Sequence, residues 1–162
     1  MPTRGSVIIA KVHTQLPTSA DHAWRVITKH DATLCYGSHG VFGFTGSDRW
    51  PEEFHEGQET DTRSAVFHLI PTWRRQLHLV HVDDERREVL FWERGGFVRL
   101  WIHRLRVEPE NTVRCRYTDE VRIQAGLLTP AVWALAHLYC RYRQMRLRRL
   151  IRWLARIRLL RR

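Results

Sequence analysis

A histidine, a tyrosine and an aspartate in the second half of the chain have the spacing of side chains on one face of a β-hairpin. Between residues 112 and 124 the odd positions are Val113, Cys115, Tyr117, Asp119, Val121 and Ile123. The even positions are Thr112, Arg114, Arg116, Thr118, Glu120 and Arg122. That is the inside/outside alternation of a half-buried strand. In the preceding segment Trp101, His103, Leu105 and Val107 share one parity, and Arg104 and Arg106 share the other. Both inward sets lie on one face if the numbers of paired residues sum to an even value. A three-residue loop, Pro109-Glu110-Asn111, would do this, with Asn111 suited to the left-handed position. The expected pairs are then Leu105 with Cys115, His103 with Tyr117, and Trp101 with Asp119.

An imidazole, a phenol and a carboxyl on an otherwise apolar face suggest a site that orients a ligand or moves a proton. Histidine is the usual proton carrier near neutral pH, and a buried carboxylate beside it can shift its pKa. A purely structural reading is that the three groups satisfy one another, or the backbone of a covering helix, as a hydrogen-bond network. No sequence signature assigns a catalytic residue. Metal binding has little support: His78 and His81 are three apart on an expected strand, which should point them to opposite faces. No HExxH or CxxC occurs, and the glycines at 37, 40, 43 and 46 lack the pattern of a phosphate loop. Neither metal nor cofactor is expected. Of the many aromatic residues, Phe67, Phe91 and Trp101, with Cys115, are the expected apolar lining of a ligand pocket.

The elements that would position these groups follow from hydropathy and turn signals. Residues 6–14 are β-branched and partly alternating, which predicts a strand. Pro17-Thr18-Ser19 ends it, and Ser19 or Thr18 can cap a helix over 20–29 with Ala23, Trp24 and Ile27 on one face. A second short helical turn is expected from Asp31 to Leu34. The glycine-spaced segment 37–46 suggests a loop or edge strand, and Trp50 to Gly57 an acidic surface turn. Strands are then expected near 61–70, 75–83, 87–94, 97–107 and 112–124. The separators, among them Pro71-Thr72 and Gly95-Gly96, are short, so the strands should be antiparallel neighbours.

From Thr129 to Arg162 a single long helix is expected. Thr129-Pro130 is a helix-opening pair, and neither glycine nor proline follows Pro130. Ala136, Cys140, Leu147, Leu150, Leu154 and Ile157 form one apolar stripe, interrupted by Arg143. At 1.5 Å per residue such a helix would be roughly 50 Å long, longer than the roughly 40 Å width of a compact domain of this size. Strands grouped together and helices segregated predict an α+β class, with this helix covering the apolar face of the sheet.

The order β-α-α-β(six)-α resembles the helix-grip fold of the SRPBCC superfamily (START, Bet v 1 and polyketide cyclase/dehydrase proteins). So do Ala23-Trp24-Arg25-Val26-Ile27 after a Pro-x-Ser/Thr break and Trp101-Ile102-His103-Arg104-Leu105 in a penultimate strand. Thr118-Asp119-Glu120-Val121 in the last strand and Gly126-Leu127-Leu128 before a long helix also match. The resemblance implies a curved antiparallel sheet of about seven strands wrapped around the C-terminal helix, with two short helices after the first strand. It further implies a cavity for a hydrophobic molecule such as a lipid, polyketide or isoprenoid, and admits a cyclase or dehydratase. No catalytic set is shared across the superfamily. The domain is expected to span 1–150, with 151–162 a basic amphipathic extension.

Charge separates that extension from the rest. From Arg141 onward there are ten arginines and no acidic residue, whereas residues 1–140 balance seventeen basic with seventeen acidic side chains. Twenty-five of the 27 basic residues are arginine, which also suits a GC-rich genome. Arg148, Arg149, Arg152, Trp153 and Arg156 suit an anionic membrane surface. A frayed solvated end and a homodimer contact through Leu150, Leu154 and Ile157 stand beside that reading. No recognition motif argues for nucleic acid. Three cysteines without a CxxC, and no secretory leader, are expected of a cytoplasmic protein, membrane-peripheral if the tail binds lipid.

Overall fold

The computed structural model describes residues 6–29, 42–45, 56–57, 59–66, 70–96 and 98–160. The strands are β1 (Ile8–Leu16), β2 (Phe42–Thr45), β3 (Glu59–Val66), β4 (Ile70–Asp83), β5 (Glu88–Gly95), β6 (Val98–Asn111) and β7 (Arg114–Gln124). Among the described residues two helices, α1 (Ala20–Thr28) and α2 (Thr129–Leu160), join these strands, giving an α+β arrangement with a 3-10 turn over Gly126–Leu128 leading into α2. The expected helical turn at Asp31 to Leu34 and the candidate Phe67 lie outside the described residues.

One antiparallel sheet runs in the order β1-β7-β6-β5-β4-β3-β2. Strands β2 to β7 form a meander, and β1 joins it at β7, with Ile8 opposite Ile123 and Leu16 opposite Cys115. The short β1–α1 connection is fixed by Ser19, whose Oγ accepts from the His22 backbone N–H at 3.3 Å. The expected inward face of α1 is seen: Ala23, Trp24 and Ile27 are buried. Trp24 also donates from Nε1 to Asp84 Oδ1 at 2.7 Å, tying α1 to the β4–β5 turn.

Several strand boundaries differ from the sequence reading. Pro71 lies inside β4 opposite Ala65, so Pro71-Thr72 is not the separator. In the β6–β7 hairpin the turn is Thr112-Val113, and Pro109 and Glu110 belong to β6. Asn111 opens the turn by accepting from the Val113 N–H at 3.0 Å, an Asx-type bond that competes well with the ladder at a chain reversal. The pairing is accordingly shifted. Leu105 lies opposite Asp119, His103 opposite Val121, Trp101 opposite Ile123, and Val107 opposite Tyr117. The two-residue turn pairs Asn111 with Arg114, an odd sum that would put the two apolar sets on opposite faces. A register shift between Pro109 and Asn111 restores even sums for the rest of the hairpin. The parity argument holds, but a bulge satisfies it rather than a longer loop. Val113, counted among the inward residues, sits in the turn and is exposed.

A second shift between Leu79 and His81 has a similar effect. His78 and His81 face Trp92 and Leu90, which are two apart on β5, so both histidines share a face instead of alternating. Each pairs with its own carboxylate, His78 with Glu59 at 3.2 Å and His81 with Glu56 at 2.5 Å.

α2 lies mainly across β1 and β7, while α1 covers β6 and β7. Thr129 does not cap α2 forwards. Its hydroxyl accepts from the Ala125 N–H and donates to the Gly126 carbonyl, bracing the 3-10 turn. The core has two apolar clusters. Ala10, Val12, Trp101, Val121, Ile123, Val132, Ala136 and Cys140 gather under the first half of α2. Leu16, the buried face of α1, Phe91, Leu105, Val107, Tyr117, Leu147 and Ile151 gather under its second half. Ile151 is buried, and Leu150 and Leu154 pack on the same cluster, so core packing continues past residue 150.

Replacing Ile151 by alanine should therefore cost about 2–5 kcal/mol of unfolding free energy in urea titration, as for other large-to-small core changes. Leu138→Ala on the outer side of the same helix should change stability by less than about 0.5 kcal/mol. Equal, small losses at both positions would mean that the far half of α2 does not pack.

Candidate functional site

Between the two apolar clusters, β6, β7 and α2 each contribute polar side chains. β6 supplies His103, β7 supplies Asp119 and the Tyr117 hydroxyl, and α2 supplies Arg143 and Gln144. All five residues are at least 95% buried. On α2 the positions follow from helical spacing: Arg143 and Gln144 each lie three or four residues from both Cys140 and Leu147, so all four share the sheet-facing side. Arg143 is thus not a gap in the apolar stripe but its central inward residue.

Asp119 is the hub. Its Oδ1 accepts from His103 Nε2 at 3.0 Å, from the Tyr117 hydroxyl at 3.0 Å, and from Arg143 Nη2. Its Oδ2 accepts from Gln144 Nε2 at 2.8 Å, and the same amide donates to the Val12 carbonyl of β1 at 2.9 Å. Arg143 Nη2 also donates to the Tyr117 oxygen at 2.7 Å. The bond to Asp119 requires the proton of neutral His103 to sit on Nε2; that nitrogen then has no lone pair for Arg143 Nη2, which lies 3.2 Å away. The Phe91 ring packs against His103 at a centroid distance of 6.4 Å.

Electrostatics fix the protonation of most of this cluster. Burial pushes the Asp119 carboxyl up, but the Arg143 guanidinium and the bonds from His103 and Gln144 outweigh it and hold the group below its ordinary pKa. Burial opposes the charge on Arg143, and Asp119 more than compensates, so the guanidinium stays protonated. Burial raises Tyr117 well above the usual phenol range. The centre is therefore a compensated ion pair with a neutral phenol across it. The thiol beside it is protonated as well: burial, then Asp119, pushes Cys140 up to about 12, and in the second apolar cluster burial pushes Cys115 up to about 11.

His103, Asp119 and Cys140 bring potential ligand atoms within 4.8 Å of one another. Arg143 already balances the carboxylate, and the thiol is held in its non-ligating form, so this trio is poorly suited to a cation. One polar atom of the cluster lacks a bond: Arg143 Nε is buried with no hydrogen-bond partner among the described residues.

The sequence-predicted candidates are only partly brought together. His103, Tyr117 and Asp119 meet, with Phe91 against the imidazole. Trp101 lies in the first apolar cluster and Cys115 in the second, on either side of the polar group. Arg143 and Gln144 were not among the candidates. The signal for them was present, since helical spacing from Cys140 and Leu147 puts both on the buried side. The tail residues Arg148, Arg149, Arg152, Trp153 and Arg156 are all exposed and take no part in this buried centre.

No family model matches the sequence, and no curated protein matches it. Solved structures do share its architecture. A START superfamily protein from Mycobacterium smegmatis superposes with a TM-score of 0.66 at 10% identity, covering 90% of this chain and 98% of that one. Norcoclaurine synthase from Thalictrum flavum, solved with dopamine and hydroxybenzaldehyde, gives 0.59 at 14% identity, covering 87% of each chain. A protein from Chromobacterium violaceum gives 0.68 at 10% identity, covering 88% and 96%. The chain thus shares the fold of the START superfamily protein and of norcoclaurine synthase.

Breaking the central pair should be costly. Arg143→Met leaves Asp119 buried without its counter-charge and should lower stability by about 3–5 kcal/mol, whereas Asp119→Leu with Arg143→Met should recover much of the loss. Strictly additive losses in urea unfolding would contradict a coupled pair. Because folding depresses the Asp119 pKa, its contribution is present above the ordinary carboxylate range and disappears as pH falls through the depressed folded value. The stability gap between wild type and Asp119→Asn should therefore narrow on acidification below about pH 4.

Proposed function

We propose that the chain binds a hydrophobic small molecule between the sheet and α2, with the ligand's polar end directed at the buried cluster. The observation that carries this is Arg143 Nε. A buried guanidinium N–H without an acceptor costs about 1–3 kcal/mol, and native proteins retain few such groups without a reason. An oxygen of a bound molecule would satisfy it. The neighbouring apolar residues, Phe91, Trp101, Leu105 and Cys115, suit the body of a lipid, polyketide or isoprenoid-like ligand. Tyr117 and His103 would set its orientation. The START-like fold agrees with a general ligand-binding role. The binding unit is residues 1–150 together with the packed residues Ile151 and Leu154, and the rest of the helix is a basic extension.

A cyclase or dehydratase is the second reading. It is favoured by the His103–Asp119 contact beside a phenol that burial keeps protonated, and by the likeness to norcoclaurine synthase. Catalysis would require His103 or Tyr117 to reach a reacting atom of the ligand. A bell-shaped pH–rate profile abolished by His103→Ala would mark an enzyme, and a binder would show none.

Native mass spectrometry of the freshly purified protein should reveal a co-purifying small molecule. His103→Ala should weaken binding of 8-anilinonaphthalene-1-sulfonate, an apolar aromatic with one anionic group, by about 10-fold while leaving a cooperative thermal transition. Unchanged affinity in a folded variant would count against the site.

A further inference from the structure

We propose that the outer face of α2 docks on an anionic phospholipid surface, independently of what the interior holds. The sequence points to the terminal residues as a unit, but the structure divides them. Leu150, Ile151 and Leu154, part of that tail's apolar content, are used against the core. A different apolar set faces outward along the length of the helix. Leu135 is 56% exposed, Leu138 71%, Met145 41% and Trp153 55%. At 100° per residue these four fall in the same arc, about 120° wide, as the exposed Arg141, Arg149, Arg152 and Arg156. Leu127 and Leu128, also exposed, stand at the start of the helix.

Charge selects the occupant. No acidic residue follows Glu120 in the chain. Among the described residues no carboxylate pairs with Arg141, Arg149, Arg152 or Arg156. A second copy meeting this face about a two-fold axis would set arginine against arginine, with no acid on either side to relieve it. Nucleic acid would satisfy the charge but leave two leucines, a methionine and most of a tryptophan without an apolar partner. A bilayer surface with anionic headgroups meets both demands, since it takes apolar side chains below the phosphate level and arginines at it. No described helix is long and apolar enough to cross a membrane, so α2 would lie in the plane of the surface.

Flotation of the full chain tests this with vesicles of phosphatidylcholine alone, or containing about one third phosphatidylglycerol. The wild-type chain should float with the anionic vesicles and remain behind with the neutral ones, and added salt should release it. Arg149→Gln, Arg152→Gln and Arg156→Gln together should weaken binding by about 100-fold. Leu138→Ser should weaken it with the charges intact. All four positions are exposed, and circular dichroism melting should confirm that the variants fold. The proposal is overturned if wild type fails to float with anionic vesicles, or if both folded variants bind them as tightly as wild type. Light scattering that shows a dimer broken by the same arginine changes, or preferential retention on duplex DNA over vesicles, would also overturn it.

Discussion

The Asp119–Arg143 ion pair constrains the rest of the molecule. Two opposite charges removed from water are tolerated only when their geometry and remaining hydrogen bonds are good. Here the carboxylate takes donors from β6, β7 and α2, and the Gln144 amide extends the network to the backbone of β1. Sliding α2 along the sheet by one turn would bring an apolar residue opposite Asp119 and strand both charges. Apolar packing alone tolerates such slips, because one leucine replaces another at small cost. The polar cluster therefore fixes the position of the helix while the two apolar clusters on either side hold it down. This is the reason the core is divided: each of β6, β7 and α2 passes from one cluster to the other through a polar residue.

Much of this was legible in the sequence. Alternation in 101–123 identified the inward residues of the last hairpin, and the helical period identified the buried side of α2. Ser19 and the Ala23, Trp24, Ile27 face marked α1. The register of the hairpin was not legible. A one-residue bulge near Pro109 and Glu110 leaves the alternation of either strand intact while changing which residues face each other. The bulge at Val80 likewise hides from residue counting that His78 and His81 share a face. Pairing of β1 with β7 has no local signature, because nothing near Ile8 encodes a partner near Ile123. Arg143 looked like a break in a pattern because a periodicity argument sorts residues by polarity. Its role appears only when its angular position is considered apart from its charge.

The two sides of α2 use arginine in opposite ways. Inward, Arg143 is buried, paired with a carboxylate and bonded to a phenol, so its charge is held within the fold. Outward, the arginines are exposed and interspersed with large apolar side chains. The arginine richness of the chain thus carries no single meaning. What distinguishes the positions is the presence or absence of a nearby acid, and that follows from the confinement of acidic residues to the chain before residue 121.

The union of β1 with β7 has a consequence for biosynthesis. Among the described strands, β1 is made before the others and has its sheet neighbour, β7, in the one made after them, so β1 waits unpaired while the meander is synthesised. The meander from β2 to β7 can zip sequentially through neighbouring hairpins, whereas the pairing of β1 with β7 must await the far end and joins residues distant in sequence. The nascent chain is most exposed to wrong partners in that interval, which ends only when the terminal helix emerges and its Gln144 amide reaches back to Val12.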